Sequence, residues 1–270
     1  MKASAPASSA NLGPGFDSLA VALDLRCEVE IEAGSEWDVT DDPDGFVRSA
    51  AERVSSHPLS IRIRSDIPLG KGLGSSAAVL AALETAVRRL QGKPDDPGAV
   101  FDAVSAAEGH PDNAAATVYG GLVVAGPGGV HRMEMHPSLS VVVAVSDDTL
   151  ATQGAREALP DTVPFGVASR TSGRAIRLVE GLRTGNVDLL AAVGRDELHE
   201  PHRVALRPVI GRLLSAAAEA GACFVAVSGA GPAVLAIVTA PRGRAVESAL
   251  GEMIGDGAVL TPLIDNQGID

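Results

Sequence analysis

The stretch Pro68-Leu69-Gly70-Lys71-Gly72-Leu73-Gly74-Ser75-Ser76-Ala77-Ala78 packs three glycines into five residues and follows them with two hydroxyls at an expected helix start. Ahead of it, Leu59 to Arg64 alternates apolar and polar residues like a strand. A strand, a glycine-rich loop and a helix N-terminus together form an anion cradle. Glycine lets the backbone come close and turn its N–H groups inward, and the helix end adds partial positive charge. The spacing fits neither of the two common phosphate loops. A Walker A loop would need glycine where Ser65 stands, and the dinucleotide fingerprint would place its third glycine one residue later. A generic glycine-rich stretch reads as a tight turn before a capped helix. Here proline, lysine, spaced glycines and paired serines converge on one helix entry, and a bound phosphate is the better reading.

Other residues could complete a phosphoryl-transfer site. Such chemistry needs a cradle for the triphosphate, a metal bridging its oxygens and a hydroxyl held in line. Mg²⁺ takes hard oxygen ligands and only one or two from protein. Ser76 at the helix start and Glu108 are the candidates. Glu108 by itself would read as a solvated helix-end carboxylate. His110, Asp112 and Asn113 share a turn-forming stretch with Pro111. Asn11 and Asp17 flank Gly13-Pro14-Gly15, which on spacing alone is a surface turn. Arg203 offers the fork geometry that captures carboxylates. Ser228 to Pro232 is a second run of small residues with free N–H groups, Gly229 among them. The spacing of His199 and His202 suggests a metal pair only weakly, because Pro201 interrupts the helix that would align them. His57, His131 and His136 belong to no constellation.

The elements that must position these groups follow from periodicity. Cys27 to Ala33 alternates as a strand, with Cys27, Val29 and Ile31 on one face and Glu28, Glu30 and Glu32 on the other. An acidic connection follows, including Asp41-Asp42-Pro43-Asp44-Gly45, and Phe46 to Val54 reads as a helix. Val79, Leu80, Leu83, Val87 and Leu90 form a helical stripe over 75–90, stopped by Gly92 and Pro94. Asp96 caps a second helix to about Glu108. Residues 121–125 and 139–145 read as buried strands. Polar, loop-like sequence over 146–163 places a lobe boundary there, giving lobes 1–150 and 151–270. Helical patterns follow at 166–183, 186–198 and 205–220, then strands at 222–227 and 234–238, a helix opened by Pro241, and a closing strand at 258–264. Strands mixed with helix pairs favour an α+β fold over an alternating parallel sheet.

Composition narrows the function classes. Acidic residues outnumber basic ones 34 to 22, which argues against nucleic acid or an anionic membrane as the main partner. A local loop and helix dipole can still hold phosphate. Two distant cysteines, Cys27 and Cys223, suggest neither a disulfide framework nor a zinc site. The N-terminal residues lack a secretory pattern, no apolar run is long enough to span a bilayer, and a cytoplasmic enzyme is expected.

The glycine-rich stretch resembles the central motif of the GHMP kinases. Ala5-Pro-Ala-Ser-Ser-Ala-Asn-Leu-Gly-Pro-Gly-Phe-Asp17 resembles the N-terminal motif of the homoserine kinases within that family. Ser228-Gly-Ala-Gly-Pro-Ala233 resembles the third family motif. The three lie in family order over most of the chain. The resemblance implies a two-lobe fold: a mixed β/α N-terminal lobe with the phosphate loop, a C-terminal α/β sandwich lobe, and the site between them, often in a homodimer. It implies ATP and Mg²⁺ as cofactors, with Pro68 to Ala77 on the nucleotide and Ser76 with Glu108 on the metal. Lys71, Asp112 and Asn113 become the catalytic candidates. Asp112 aligns with a catalytic aspartate of mevalonate kinases, although homoserine kinases are thought to work without a strong base. The resemblance assigns Asn11, Asp17, His110, Asn113, Arg203 and Gly229 to a small-molecule acceptor, and L-homoserine is the expected one. Glu108-Gly-His-Pro-Asp-Asn113 and His199-Glu-Pro-His-Arg203 fit the corresponding homoserine kinase segments. Ala233 replaces the usual threonine, and Val163 to Arg170 matches loosely, so Arg170 and Arg174 both compete for one arginine role. Another hydroxyl acceptor, or a catalytically silent ligand-binding protein, are the alternatives.

Overall fold

The computed structural model describes residues 1–40, 42–148 and 152–270, and the side chains of these apart from Thr152 and Gln153. Asp41 of the acidic connection and residues 149–151 of the polar stretch lie outside the described residues. In chain order the elements are β1 (Lys2–Ala10), β2 (Leu19–Ala33), β3 (Asp38–Val39), α1 (Phe46–Val54), β4 (Leu59–Ser65), α2 (Ser75–Leu90), α3 (Pro97–Glu108), α4 (Asp112–Tyr119), β5 (Leu122–Gly126), β6 (Gly129–Met133) and β7 (Leu139–Val145). They continue as α5 (Thr152–Glu157), α6 (Phe165–Thr184), α7 (Val187–Ala191), α8 (Glu200–Leu206), α9 (Pro208–Glu219), β8 (Phe224–Val227), β9 (Val234–Thr239), α10 (Ala240–Ile254) and β10 (Ala258–Leu260). The fold is α+β. Among the described residues no helix is long and apolar enough to cross a membrane.

The long strand β2 organises the first sheet, pairing antiparallel with β1, β4 and β5. Its Cys27, Val29 and Ile31 are fully buried. On the opposite face Glu28 and Glu30 stand across from Arg64 and Arg62 of β4, opposite-charge pairs that support the register. α2 lies on β1 and β2, and its buried stripe is rich in alanine (Ala77, Ala78, Ala81, Ala82), which lets the helix approach the sheet closely. β1 is the element that the sequence hides. Lys-Ala-Ser-Ala-Pro-Ala-Ser-Ser-Ala has little strand propensity, yet residues 3–10 are buried. Small side chains are what fit beneath α2 and α4. Pro6 is accommodated at a register shift between Pro6 and Ala7.

The second sheet has the order β10-β7-β9-β8, covered by α9 and α10. The expected lobe division at residue 150 therefore moves. β7 pairs with β9, so the sheets divide before Leu139. The pattern over 205–220 is two helices, α8 and α9, because Pro208 breaks the first and opens the second. The helix expected over 186–198 is only the five-residue α7, and the polar stretch after Ser146 contains α5.

The C-terminal segment returns to the first lobe. Ala22 accepts from Asp265 N, Gly121 N donates to Asp265 O, and Ser4 and Asp270 exchange both backbone hydrogen bonds. Arg26 pairs with Asp265 at 2.5 Å.

Candidate functional site

The entry to α2 has the geometry that the glycine spacing predicts. Gly70, Gly72 and Gly74 all adopt positive φ (67°, 84° and 66°), a region open to glycine and strained for other residues. Gly74 is the N-cap residue, and no side chain caps α2. α3, by contrast, is capped by the Asp96 carboxylate. The first N–H groups of α2 are thus left for another acceptor, as a phosphate cradle requires.

Two neighbouring segments hold the loop in place. The first is Ser228–Pro232. Ser228 Oγ donates to Gly72 O at 2.7 Å, and Ala233 N donates to Lys71 O at 3.1 Å. Ser9 and Ser228 hydroxyls lie 2.7 Å apart. Ala233, where the resembling motif carries threonine, is fully buried. The second is β1: Ser8 N donates to Leu73 O at 3.1 Å. Lys71 does not point into the cradle. Its ammonium donates to the carbonyls of Asp147 (2.7 Å) and Asp148 (2.9 Å), which removes it from the reacting groups.

Ser76 and Glu108 meet across α2 and α3. The serine hydroxyl donates to Glu108 Oε1 at 2.5 Å. Two hard oxygen donors beside an uncapped helix end suit Mg²⁺, which keeps most of its shell as water and phosphate oxygens. They border a cavity of about 240 Å³ that Phe46, Ala50 and Arg53 of α1 also line. Leu80 of α2 and His110 line it as well. Among the described residues no cluster of three or more His, Cys, Asp or Glu side chains could hold a metal.

Beyond Glu108, Gly109 ends α3 and α4 begins at Asp112, with Pro111 at its N-cap position. The expected turn is thus a helix-to-helix junction. Asp112 is fully buried. Its Oδ1 accepts from Asn113 N at 2.9 Å and lies 2.8 Å from His110 Nδ1. Its Oδ2 has no partner among the described residues. The hydrogen bond to Asp112 raises the His110 pKa. Asn113 Oδ1 accepts from Ser8 Oγ at 2.8 Å, and Thr117 supports Ser8 from below. A Cβ on Gly74 would lie 2.1 Å from Ser8 Oγ and 3.0 Å from Asn113 Oδ1, so the cradle and the α4 N-terminus are in contact.

The loop after β1 forms the far wall. Asn11 and Asp17 both have positive φ (57° and 51°), uncommon for residues other than glycine and frequent at functional sites. Asn11 uses its amide within the protein, accepting from Asp17 N (2.8 Å) and donating to Gly229 O (3.2 Å). Arg203, also buried, donates to the same Gly229 carbonyl. Burial lowers its pKa to about 10. Asp17 receives a bidentate grip from Arg156, Nη1 to Oδ2 at 2.9 Å and Nη2 to Oδ1 at 2.8 Å. The Phe16 ring lies 5.5 Å from the Arg156 guanidinium and 5.6 Å from that of Arg203.

No motif or spacing in the sequence singles out Arg156. It lies on the short α5 inside a polar stretch, and only the folded chain brings it to Asp17. Arg170 and Arg174, the two competing candidates, lie on α6 and both pair with Glu197, between α7 and α8, at 2.5 Å each. They do not join the site. His199 and His202 form no metal pair. His199 Nε2 donates to Gly13 O at 2.8 Å, and burial holds its pKa down to about 4. Glu200, equally buried, accepts from Val227 N at 2.9 Å, and burial pushes its pKa up to about 7. Asp196 Oδ2 accepts from the backbone N–H groups of Leu198, His199 and Glu200. A buried polar cluster thus stands behind Arg203 and the loop.

Two family models match the chain. One described as the GHMP kinases N terminal domain matches residues 45–121, and one described as GHMP kinases C terminal matches residues 178–255. The chain is 36% identical over 259 residues to a homoserine kinase of Moorella thermoacetica, covering 88% of this chain and 86% of the relative. It is 35% identical over 286 residues to one of Gloeobacter violaceus, covering 97% and 96%. The crystal structure of homoserine kinase from Cytophaga hutchinsonii superimposes with a TM-score of 0.88 at 25% identity, covering all of this chain and 96% of that one.

Proposed function

The chain belongs to the GHMP kinases, and from that premise we propose that it transfers the γ-phosphoryl group of ATP to the side-chain hydroxyl of L-homoserine. The observation that carries this reading is one continuous wall. An uncapped, glycine-lined helix end meets Ser76 and Glu108 on one side and Asn113 on the other. Asp112 lies close enough to influence the charges of both Arg156 and Arg203. A phosphate donor and a charged acceptor can therefore be held side by side.

The residues act mainly by positioning. The N–H groups at the start of α2 would receive the triphosphate, and the Gly70–Gly74 backbone would wrap it. Ser76 and Glu108 would hold Mg²⁺, which when bound neutralises charge developing on the phosphate oxygens. Arg156 and Arg203 would bind the acceptor carboxylate, and Asp17 its ammonium. Asp112 Oδ2, buried and without a partner among the described residues, would accept a hydrogen bond from the reacting hydroxyl. Little covalent work falls to the protein, because phosphoryl transfer depends on alignment and charge stabilisation.

The test is an ADP-release assay with homoserine, mevalonate and galactose as acceptors. Only homoserine carries both an α-carboxylate and an α-ammonium, and it should be used with by far the highest kcat/KM. Equal use of mevalonate would leave only the family assignment standing.

A further inference from the structure

We propose that Ser8 and Thr117 are positioning residues that fix which end of the Asn113 amide faces the site, so that an N–H donor is presented where the phosphoryl group is transferred. The inference rests on the kinase reading above and deepens it by giving two buried hydroxyls a part in the reaction. Asn113 and Thr117 lie four residues apart on α4 and so share one face of the helix. α4 packs on β1, and Ser8 of β1 stands against both residues. Ser8 and Thr117 are fully buried, and Asn113 is nearly so. Thr117 Oγ1 donates toward the Pro6 carbonyl and toward Ser8 Oγ, each at 3.2 Å. A carbonyl can only accept, so the threonine proton stays on the β1 side. Ser8 Oγ spends its own proton on Asn113 Oδ1 at 2.8 Å. With Oδ1 engaged, the amide nitrogen is the end left over, and it has no partner among the described residues.

Ser8 also sets the amide against the glycine-rich loop. Its backbone N–H donates to Leu73 O at 3.1 Å, while its side chain holds Asn113. A Cβ on Gly74 would touch both Ser8 Oγ and Asn113 Oδ1, so loop and amide meet at one residue of a paired strand. The polarity suits the charges. Asp112, next in the chain, already brings an oxygen with no partner among the described residues, its Oδ2. That oxygen serves the acceptor hydroxyl, and the amide N–H serves a phosphoryl oxygen gaining negative charge. Preorganised donors of this kind are among the larger contributions to catalysis. Reversing the amide would set two oxygens side by side against an anionic group, which repels them.

The experiment follows homoserine phosphorylation by ADP release and ATP binding by calorimetry, with thermal melts to verify folding. Thr117→Val keeps the side-chain shape without the hydroxyl, and Ser8→Ala keeps the backbone bond to Leu73 O. The first should lower kcat about tenfold and the second about thirtyfold, the size expected when a catalytic group is slightly misplaced. ATP affinity and the homoserine KM should stay within about twofold, because the loop is still held. Thr117→Ser restores the hydroxyl and should return kcat to within about twofold of wild type. In an Asn113→Ala background, adding Ser8→Ala should cost nothing further in kcat, since groups that act through one another are not additive. Asn113→Asp can still accept from Ser8 but turns an oxygen to the site, and kcat should fall at least about a hundredfold. ATP affinity lost in step with kcat in folded Thr117→Val, additive losses in the double variant, or near-normal kcat in Asn113→Asp would each overturn the proposal. A wild type that does not phosphorylate homoserine overturns the functional reading, and the amide's role falls with it.

Discussion

Gly72 offers the sharpest test of the phosphate loop, because Gly70 provides its own control two residues away. Both have positive φ, 84° and 67°, so an alanine at either position carries a similar backbone cost of about 1–2 kcal/mol. Their surroundings differ. A Cβ on Gly70 meets nothing within 4 Å, whereas one on Gly72 would lie 2.2 Å from Ser228 O and 3.0 Å from Gly231 N and O. These are backbone atoms and cannot rotate away. Ordinary contact begins at 3.4 Å, so the two loops must part by about 1.2 Å. That parting breaks the Ser228 Oγ to Gly72 O and Ala233 N to Lys71 O hydrogen bonds, each worth about 1 kcal/mol net. Gly72→Ala should therefore be about 2 kcal/mol less stable than Gly70→Ala, a Tm lower by about 4–8 °C for a chain of this size. Differential scanning calorimetry measures it directly. ATP should raise the Tm of Gly70→Ala more than that of Gly72→Ala, because only the latter shifts the cradle. Equal melting temperatures would refute the close packing of the two loops.

Glu108→Gln should leave the Tm near wild type and lower kcat by a hundredfold or more, with a raised Mg²⁺ requirement, since metal charge stabilisation is worth several kcal/mol; an unchanged Mg²⁺ titration would assign the metal elsewhere. The buried His199 and Glu200 predict a pH effect. The His199 pKa falls from 6.5 to about 4, so its share of stability is present above pH 6.5 and lost as pH drops toward 4. The Glu200 pKa rises from 4.5 to about 7, so its share is present below pH 4.5 and lost as pH rises toward 7. Between pH 4.5 and 6.5 the two slopes oppose each other in the wild type. Glu200→Gln, which can still accept from Val227 N, leaves the histidine slope alone. Its stability should then climb with pH by up to about 1.4 kcal/mol per unit more than that of the wild type. Thermal melts across the window check it, and parallel Tm curves for the two proteins would count against the Glu200 shift.

What the sequence discloses and what it conceals divide along physical lines. Gly70, Gly72 and Gly74 are legible because positive φ is a local demand that glycine answers. The stripe of α2 and the Asp96 cap of α3 are legible for the same reason, since both are satisfied within a few residues. β1 is concealed because its alanines and serines answer the space under α2 and α4 and not strand propensity. β7 looks like the end of the first lobe, and only its pairing with β9, far along the chain, moves it to the second. Arg156 is concealed for a similar reason, as 139 residues separate it from Asp17. Lys71 misleads in the opposite direction. A lysine between two loop glycines invites a phosphate, but its long stem reaches past the cradle to the carbonyls of Asp147 and Asp148.

The C-terminal segment gives the protein an order of assembly. Synthesis delivers the first lobe early, and domains generally fold as they emerge. This one cannot be completed then. Gly120 and Gly121, at the end of the helix that begins with Asp112 and Asn113, pack against the backbone of residues 265–268. Arg26 awaits Asp265, and the edge of β1 awaits Asp270. Residues 265–270 therefore add the last packing against the C-terminal end of α4. The first sheet, which carries the phosphate loop, is thus closed by a segment that follows the last strand of the second sheet, and the two lobes are tied together through that strap.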